Sequence, residues 1–310
     1  MADHGGKVDY LAPEHLFEHV QDSTHFEVPK MLVRSGENHV EIPQWNGGAA
    51  GWELRTSNAM ANSILQPLEG KVTKFMVLEA VAALLMIIIF VWLAGRLSSS
   101  VAPRGRLTNL LESFLLFLRD SVARPAIGEH DADRFLPFLW TMFFFILGCN
   151  LLGMIPGLGS PTGAFATTAA LALITLITVV RSGMQALGPV GFLKAQVPHM
   201  ELPFVLAIFL KPMIFAIEII GLLIKHFVLA VRLFANIFAG HLVLAVLIAF
   251  VGAIAVAMGS TTHPLSITVS VASVLGATLL SCLELFVAFL QAYIFTFLSA
   301  LFIGMAVHPH

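Results

Sequence analysis

Charge is what this sequence has least of. Only 12% of its 310 residues are Asp, Glu, Lys or Arg, whereas 57% are hydrophobic, and the mean hydropathy is +0.87. Soluble domains carry roughly twice that share of charge, so an ordinary soluble globule is excluded. The net charge of −2 leaves no basic excess for nucleic acid. Cysteine is nearly absent. Cys149 and Cys282 both fall inside apolar blocks, which excludes a disulfide framework and leaves them as small buried hydrophobes. No segments of about ten residues with alternating polarity occur, which excludes a membrane β-barrel. No GxxxxGK[ST] stretch occurs, so no nucleotide is expected on a P-loop. No repeat unit is visible. The first 20 residues lack a basic n-region and an apolar h-region, and no cleavable signal is expected.

What is present are long apolar blocks, near 75–95, 135–156, 164–180, 203–258 and 265–307. At about 20 residues per crossing, each can span a bilayer. The expectation is an all-α integral membrane protein with a polar segment over 1–74 and a membrane domain over 75–310. The polar segment holds ten acidic and six basic residues, with His4, His15, His19, His25 and His39 scattered through it. No metal-ligand spacing links these histidines, so they read as solvated. Within it, "PEHLFEHVQD" predicts a helix on the membrane surface.

The first span is expected over 75–97. Arg96, Arg104 and Arg106 follow it in "GRLSSSVAPRGR". Basic residues collect on the cytoplasmic side, so the N-terminus is expected outside and the C-terminus inside. "LTNLLESFLLFLRDSVARP" sets leucine and phenylalanine against Glu112, Arg119 and Asp120, and predicts an interfacial cytoplasmic helix over 107–123. A second span over 136–155 ends at the Gly/Pro turn "IPGLGSPTG". A third, over 164–180, is expected to end at Arg181, with Arg181 and Lys194 in an inside loop.

The block 203–258 would be about 84 Å long as one helix, against a hydrocarbon core of about 30 Å. Between 213 and 250 only Gly221 and Gly240 weaken it. It and the block 265–307 are therefore expected as steeply tilted helices of a hairpin. Lys211, Glu218, Lys225 and Arg232 recur every seventh residue, which returns each to within about 20° of one face. Asn236 extends the stripe, four residues past Arg232. Facing lipid at mid-bilayer, each charge would cost roughly 3 kcal/mol, so the stripe must meet protein, water or headgroups. Lys211 and Lys225 can also snorkel to an interface, but Arg232 is flanked by apolar sequence on both sides. His241 lies nine residues past Arg232, about 180° round the helix. In the last block Glu284 and Gln291 share a face. An ionised carboxylate there is costly without a partner, and His241 on the neighbouring helix could supply one. A simple interhelical polar clamp is the plainer alternative.

With "KPMIFAIEIIGLLIKHFVLAV", "RLFANIFAGH" and "LELFVAFLQAYIFTFL" in view, the chain resembles subunit a of the F-type ATP synthase membrane sector. The resemblance covers about 135–307 and includes "GCNLLGMIPG"; residues 1–74 carry little of it. It implies upright spans, an amphipathic cytoplasmic helix and a membrane-embedded, nearly horizontal hairpin. It also implies a c-subunit ring, b-type stator subunits and the remaining ATP synthase subunits as partners, in a bacterial inner membrane. Arg232 would face the ring. Asn236 and Gln291 would be its polar neighbours, with His241, Glu284 and Asn150 in the outer proton half-channel and Glu218 a further candidate. Some members place an acid at the first channel position and histidine at the second. Here the order is histidine then glutamate, as in mitochondrial-type members. No cofactor or metal is implied, and the phosphate chemistry would lie in other subunits. A stand-alone ion-coupled secondary transporter or channel is the alternative, although no two comparable halves are found. A haem or quinone subunit using His226 and His241 as ligands lacks a matching histidine pair on a second span.

Overall fold

The computed structural model describes residues 23, 25–27, 39–42, 72–98, 105–155, 158–196, 204–257 and 264–308. The helix expected over 13–22 lies outside them. Two short strands, β1 (His25–Glu27) and β2 (His39–Glu41), pair antiparallel with Phe26 opposite Val40. The Lys74 amide donates to the Ser23 carbonyl at 2.7 Å, tying this region to the first helix.

All the other described elements are helices. Five of them are long and apolar enough to cross a bilayer, and the chain is a multi-pass membrane protein. Helix α1 (Lys74–Ser98) exposes Leu84, Ile87, Ile88 and Val91 along its length. It packs on α4 through Phe90 and Phe144, edge to face at 4.9 Å. At its C-terminal end the Arg96 guanidinium lies 5.5 Å from the Trp92 ring, the pairing of aromatic and cation that suits a membrane interface.

The amphipathic segment runs as α2 (Arg106–Phe117), a π-helical turn (Leu118–Ala123) and α3 (Arg124–Ile127). The wide turn stacks i over i+5, and Leu118, Val122 and Ala123 are all fully buried. On its outer side Asp120 accepts from Arg119 and Arg124, both at 2.9 Å. The hydrogen bond from Arg119 holds the Asp120 carboxyl below the usual carboxylate range.

Helix α4 (Ala132–Gly153) and α5 (Phe165–Leu187) are the next two crossings. The third span was expected to end at Arg181; instead α5 continues through it to Leu187. Arginine is a good helix former, and the chain stops only at Gly188, whose φ of +75° favours glycine. A short helix that the sequence did not announce, α6 (Pro189–Ala195), then folds back. Its Phe192 fills the notch left by the missing side chain of Gly183.

Helix α7 (Phe204–Ala257) is one unbroken rod of 54 residues, and α8 (Pro264–Val307) one of 44. They pack chiefly on each other, and α8 also runs against α4 and α5. One core joins them. Leu229 and Leu233 of α7 belong to the same buried cluster as Leu139, Phe143 and Ile146 of α4 and Ala292, Phe295 and Ile303 of α8.

Candidate functional site

The seam between α7 and α8 carries the polar groups. On α7, Leu229, Ala230, Leu233 and Ile237 turn into the protein. Arg232 and Asn236, between them, are exposed. The Arg232 guanidinium forms no hydrogen bond or ion pair with any described residue. Lys211 and Lys225 are likewise exposed, and Glu218 is half-buried with Lys225 3.9 Å away. The heptad stripe therefore lies on an outer face of α7.

One turn along, Asn236 reaches across to α8 and donates to Gln291 Oε1 at 2.9 Å. Gln291 itself is buried, and its Nε2 has no partner among the described residues. Further along the same seam, His241 Nδ1 stands 3.3 Å from Glu284 Oε1. Glu284 is buried, and that oxygen has no aligned hydrogen-bond donor. The two groups are near enough to attract and to exchange a proton, without being locked together. Asn236 with Gln291 and His241 with Glu284 are thus the two pairs that the fold brings together. Arg232 remains apart from the second pair.

Comparison with known proteins bears on this arrangement. The family described as ATP synthase A chain matches residues 76–304, from the first span to nearly the end of α8. The chain belongs to that family. A protein of Myxococcus xanthus named ATP synthase subunit a is 38% identical over 298 residues, 93% of this chain and 92% of the relative. A Chloroherpeton thalassium protein of the same name is 40% identical over 76% of this chain and 66% of its own length. A third, of Anaeromyxobacter dehalogenans, is 35% identical and covers 100% of this chain and 74% of itself.

In this ATP synthase A chain family member, Asn150 has a structural task. It is buried; its Nδ2 donates to the Ala288 carbonyl at 3.2 Å and its Oδ1 accepts from Thr162 at 2.6 Å. Thr162 also meets Ser160 at 2.8 Å. A Cβ on Gly153 would fall on Ser160, so this glycine lets the turn after α4 close onto it. The network fixes α8 one turn from Glu284. Sequence reasoning passed over Ser160 and Thr162, which look like ordinary turn residues.

It took Gly240 only for a weak point of the helix, and it passed over Glu79. A Cβ on Gly240 would lie 3.1 Å from Glu284 Oε1, so the glycine makes the bed on which that carboxyl rests. Glu79 of α1 accepts a 2.6 Å hydrogen bond from Thr167 of α5. It is the single acid in the apolar block 75–95, and that isolation was the signal available. His226 is buried, with Nδ1 2.8 Å from the Leu222 carbonyl and its ring 5.0 Å from that of Phe302. It lies fifteen residues from His241, about 22 Å along one helix, so the two share no site.

Proposed function

We propose that this chain works as the proton-conducting stator subunit of a rotary ATP synthase, set against a ring of c subunits and held by b-type stator subunits. It does no phosphate chemistry itself. In this reading the loop after α1, the amphipathic segment and the C-terminus face the cytoplasm, and residues 1–74 lie outside.

The observation that carries the reading is an exposed, unpaired Arg232 in the middle of a long apolar helix. Arginine keeps its proton at any physiological pH, so it relays none. What it can do is attract an ionised carboxylate on a neighbouring protein and repel a cation trying to pass. A ring carboxylate exposed to lipid must be neutral, since an ionised one costs several kcal/mol there. Beside Arg232 it can be ionised. The guanidinium thus favours release of the proton into one aqueous half-channel and bars a direct leak between the two. His241 and Glu284 form the relay on the outer side, while Asn236 and Gln291 hold the seam beside the arginine. Asn150 steadies the Glu284 turn, and Glu218 with Lys225 lies on the approach from the other side. Each charge crossing the membrane gains about 2.3 kcal/mol per 100 mV, which biases the ring's rotation.

The test is Arg232→Ala in the assembled enzyme. Proton-coupled ATP synthesis in vesicles should vanish while the complex still forms with its small proteolipid subunit. Normal synthesis in that variant rules the reading out. A stand-alone transporter would instead carry ions after purification without any ring.

A further inference from the structure

A second polar site lies away from the proton seam. At the end of the bundle where α4 begins and α5 finishes, a cleft of about 250 Å³ is lined by Arg134, Phe135, Thr178, Arg181, Ser182 and Gln185. Arg134 Nη2 donates to Gln185 Oε1 at 2.7 Å, which fixes its guanidinium across the gap between the two helices. Ser182 and Thr178 donate to carbonyls of their own helix, at 2.9 Å and 2.8 Å. Among the described residues, no carboxylate pairs with either arginine. Two acids stand at the start of α4, Asp131, which His308 approaches at 3.1 Å, and Asp133 in the first turn; neither lines the cleft. Two permanent cations therefore converge on one opening with no carboxylate among the described residues paired to either.

Where the opening sits selects its ligand. Arg96, Arg106, Arg119 and Arg124 belong to the same end of the bundle, because each crossing reverses the chain. That end is the basic, headgroup-level rim of the membrane. From the cleft, the outer face of α5 runs into the bilayer as exposed Ile177, Ile174 and Leu173. Guanidinium forks suit phosphate oxygens, and an apolar track leading away from them suits acyl chains.

We infer that the Arg134–Arg181 cleft binds the phosphate headgroup of an anionic phospholipid, whose chains lie along Leu173, Ile174 and Ile177. The site is separate from the route assigned to protons, and its test reads lipid rather than proton flow. Basic pockets between transmembrane helices at the cytoplasmic rim are suited to such headgroups.

The experiment uses the complete ATP synthase in liposomes containing either phosphatidylglycerol or phosphatidylcholine with a photoreactive group in the acyl chain. Crosslinked peptides are then mapped by mass spectrometry. Phosphatidylglycerol should label the α5 segment around 173–177 several-fold more than phosphatidylcholine. Each of Arg134→Gln and Arg181→Gln should reduce that excess roughly fivefold, as loss of one juxtamembrane cation implies. ATP-driven proton pumping in the same vesicles checks that the variants assemble. Equal labelling by the two lipids overturns the inference, as does an excess that survives the double substitution. Absence of labelling there, as expected if another subunit covers α5, overturns it too. Abolition of the excess by inorganic phosphate, but not by chloride of equal ionic strength, would assign the cleft to soluble phosphate and also overturn the lipid reading.

Discussion

At the scale of single residues, the seam depends on what is next to Glu284. Its carboxyl lies on Gly240 and faces His241 at 3.3 Å. Glu284→Gln keeps the size of the side chain and removes its proton. Passive proton conduction through the membrane sector should fall on the order of 10²-fold, the scale on which a positioned proton-transfer group acts. Unchanged conduction across the pH range would remove Glu284 from the relay. Gly240→Ala is a gentler probe. Its new Cβ would crowd Glu284 Oε1, and the carboxyl would shift by a few tenths of an ångström away from its present position. Conduction should slow while the amount of assembled complex stays the same. A variant conducting as the parent does would show that the carboxyl is free to move at no cost. These residues were legible to different degrees. Arg232, His241 and Glu284 stood out because polar groups in apolar helices are costly, and a helical period of 3.6 says which of them share a face. Gly240 did not stand out: a glycine in a helix reads only as a weakness until the group above it is known.

At the scale of elements, the close approaches are made by backbone rather than by large side chains. A Cβ on Gly304 of α8 would fall on the Ala126 carbonyl of α3. That contact clamps the end of α8 to the amphipathic segment. Because the obstacle is main chain and not a flexible side chain, Gly304→Ala must move one helix against the other, at about 1–3 kcal/mol. The purified complex should lose resistance to heat. Gly276→Ala is the matched control, since its Cβ would meet only Leu247 Cδ1 at 3.9 Å. Equal thermal stability of the two variants would mean that the α3–α8 contact carries no weight. The existence of the helices could be read from the apolar blocks, since nothing else satisfies backbone polar groups in lipid. Their ends could not. Arg181 looked like a boundary because charge usually marks the edge of a span, yet its backbone is as content in a helix as that of leucine. The turn at Leu118–Ala123 and the short helix Pro189–Ala195 answer to packing partners on other elements, Phe192 against Gly183 of α5 among them. No local pattern encodes those partners.

At the scale of the whole molecule, length decides posture. The apolar run Phe209–Leu247 has 39 residues and Ile267–Val307 has 41, about 58 and 61 Å as helices. To keep either within a hydrocarbon core of about 30 Å it must lean about 60° from the membrane normal. The same arithmetic was available from the sequence, which is why the leaning hairpin was expected before its packing was known. Its handedness against α4 and α5 was not. On a helix leaning by that much, the nine residues from Arg232 to His241 change depth by only about 7 Å, against about 14 Å if it stood upright. The proposed orientation rests on the cations at one end of the bundle. It can be checked in a Cys149→Ala, Cys282→Ser background carrying either Arg106→Cys or His308→Cys. Both new thiols lie at the end where α2 begins and α8 finishes, and both positions are exposed. A maleimide that cannot cross membranes should label them in inverted vesicles and not in right-side-out ones. Labelling of both in right-side-out vesicles would reverse the assignment of sides, and with it which half-channel His241 and Glu284 serve. Labelling of the two from opposite sides would contradict the packing of α8 on the amphipathic segment, and hence the hairpin itself.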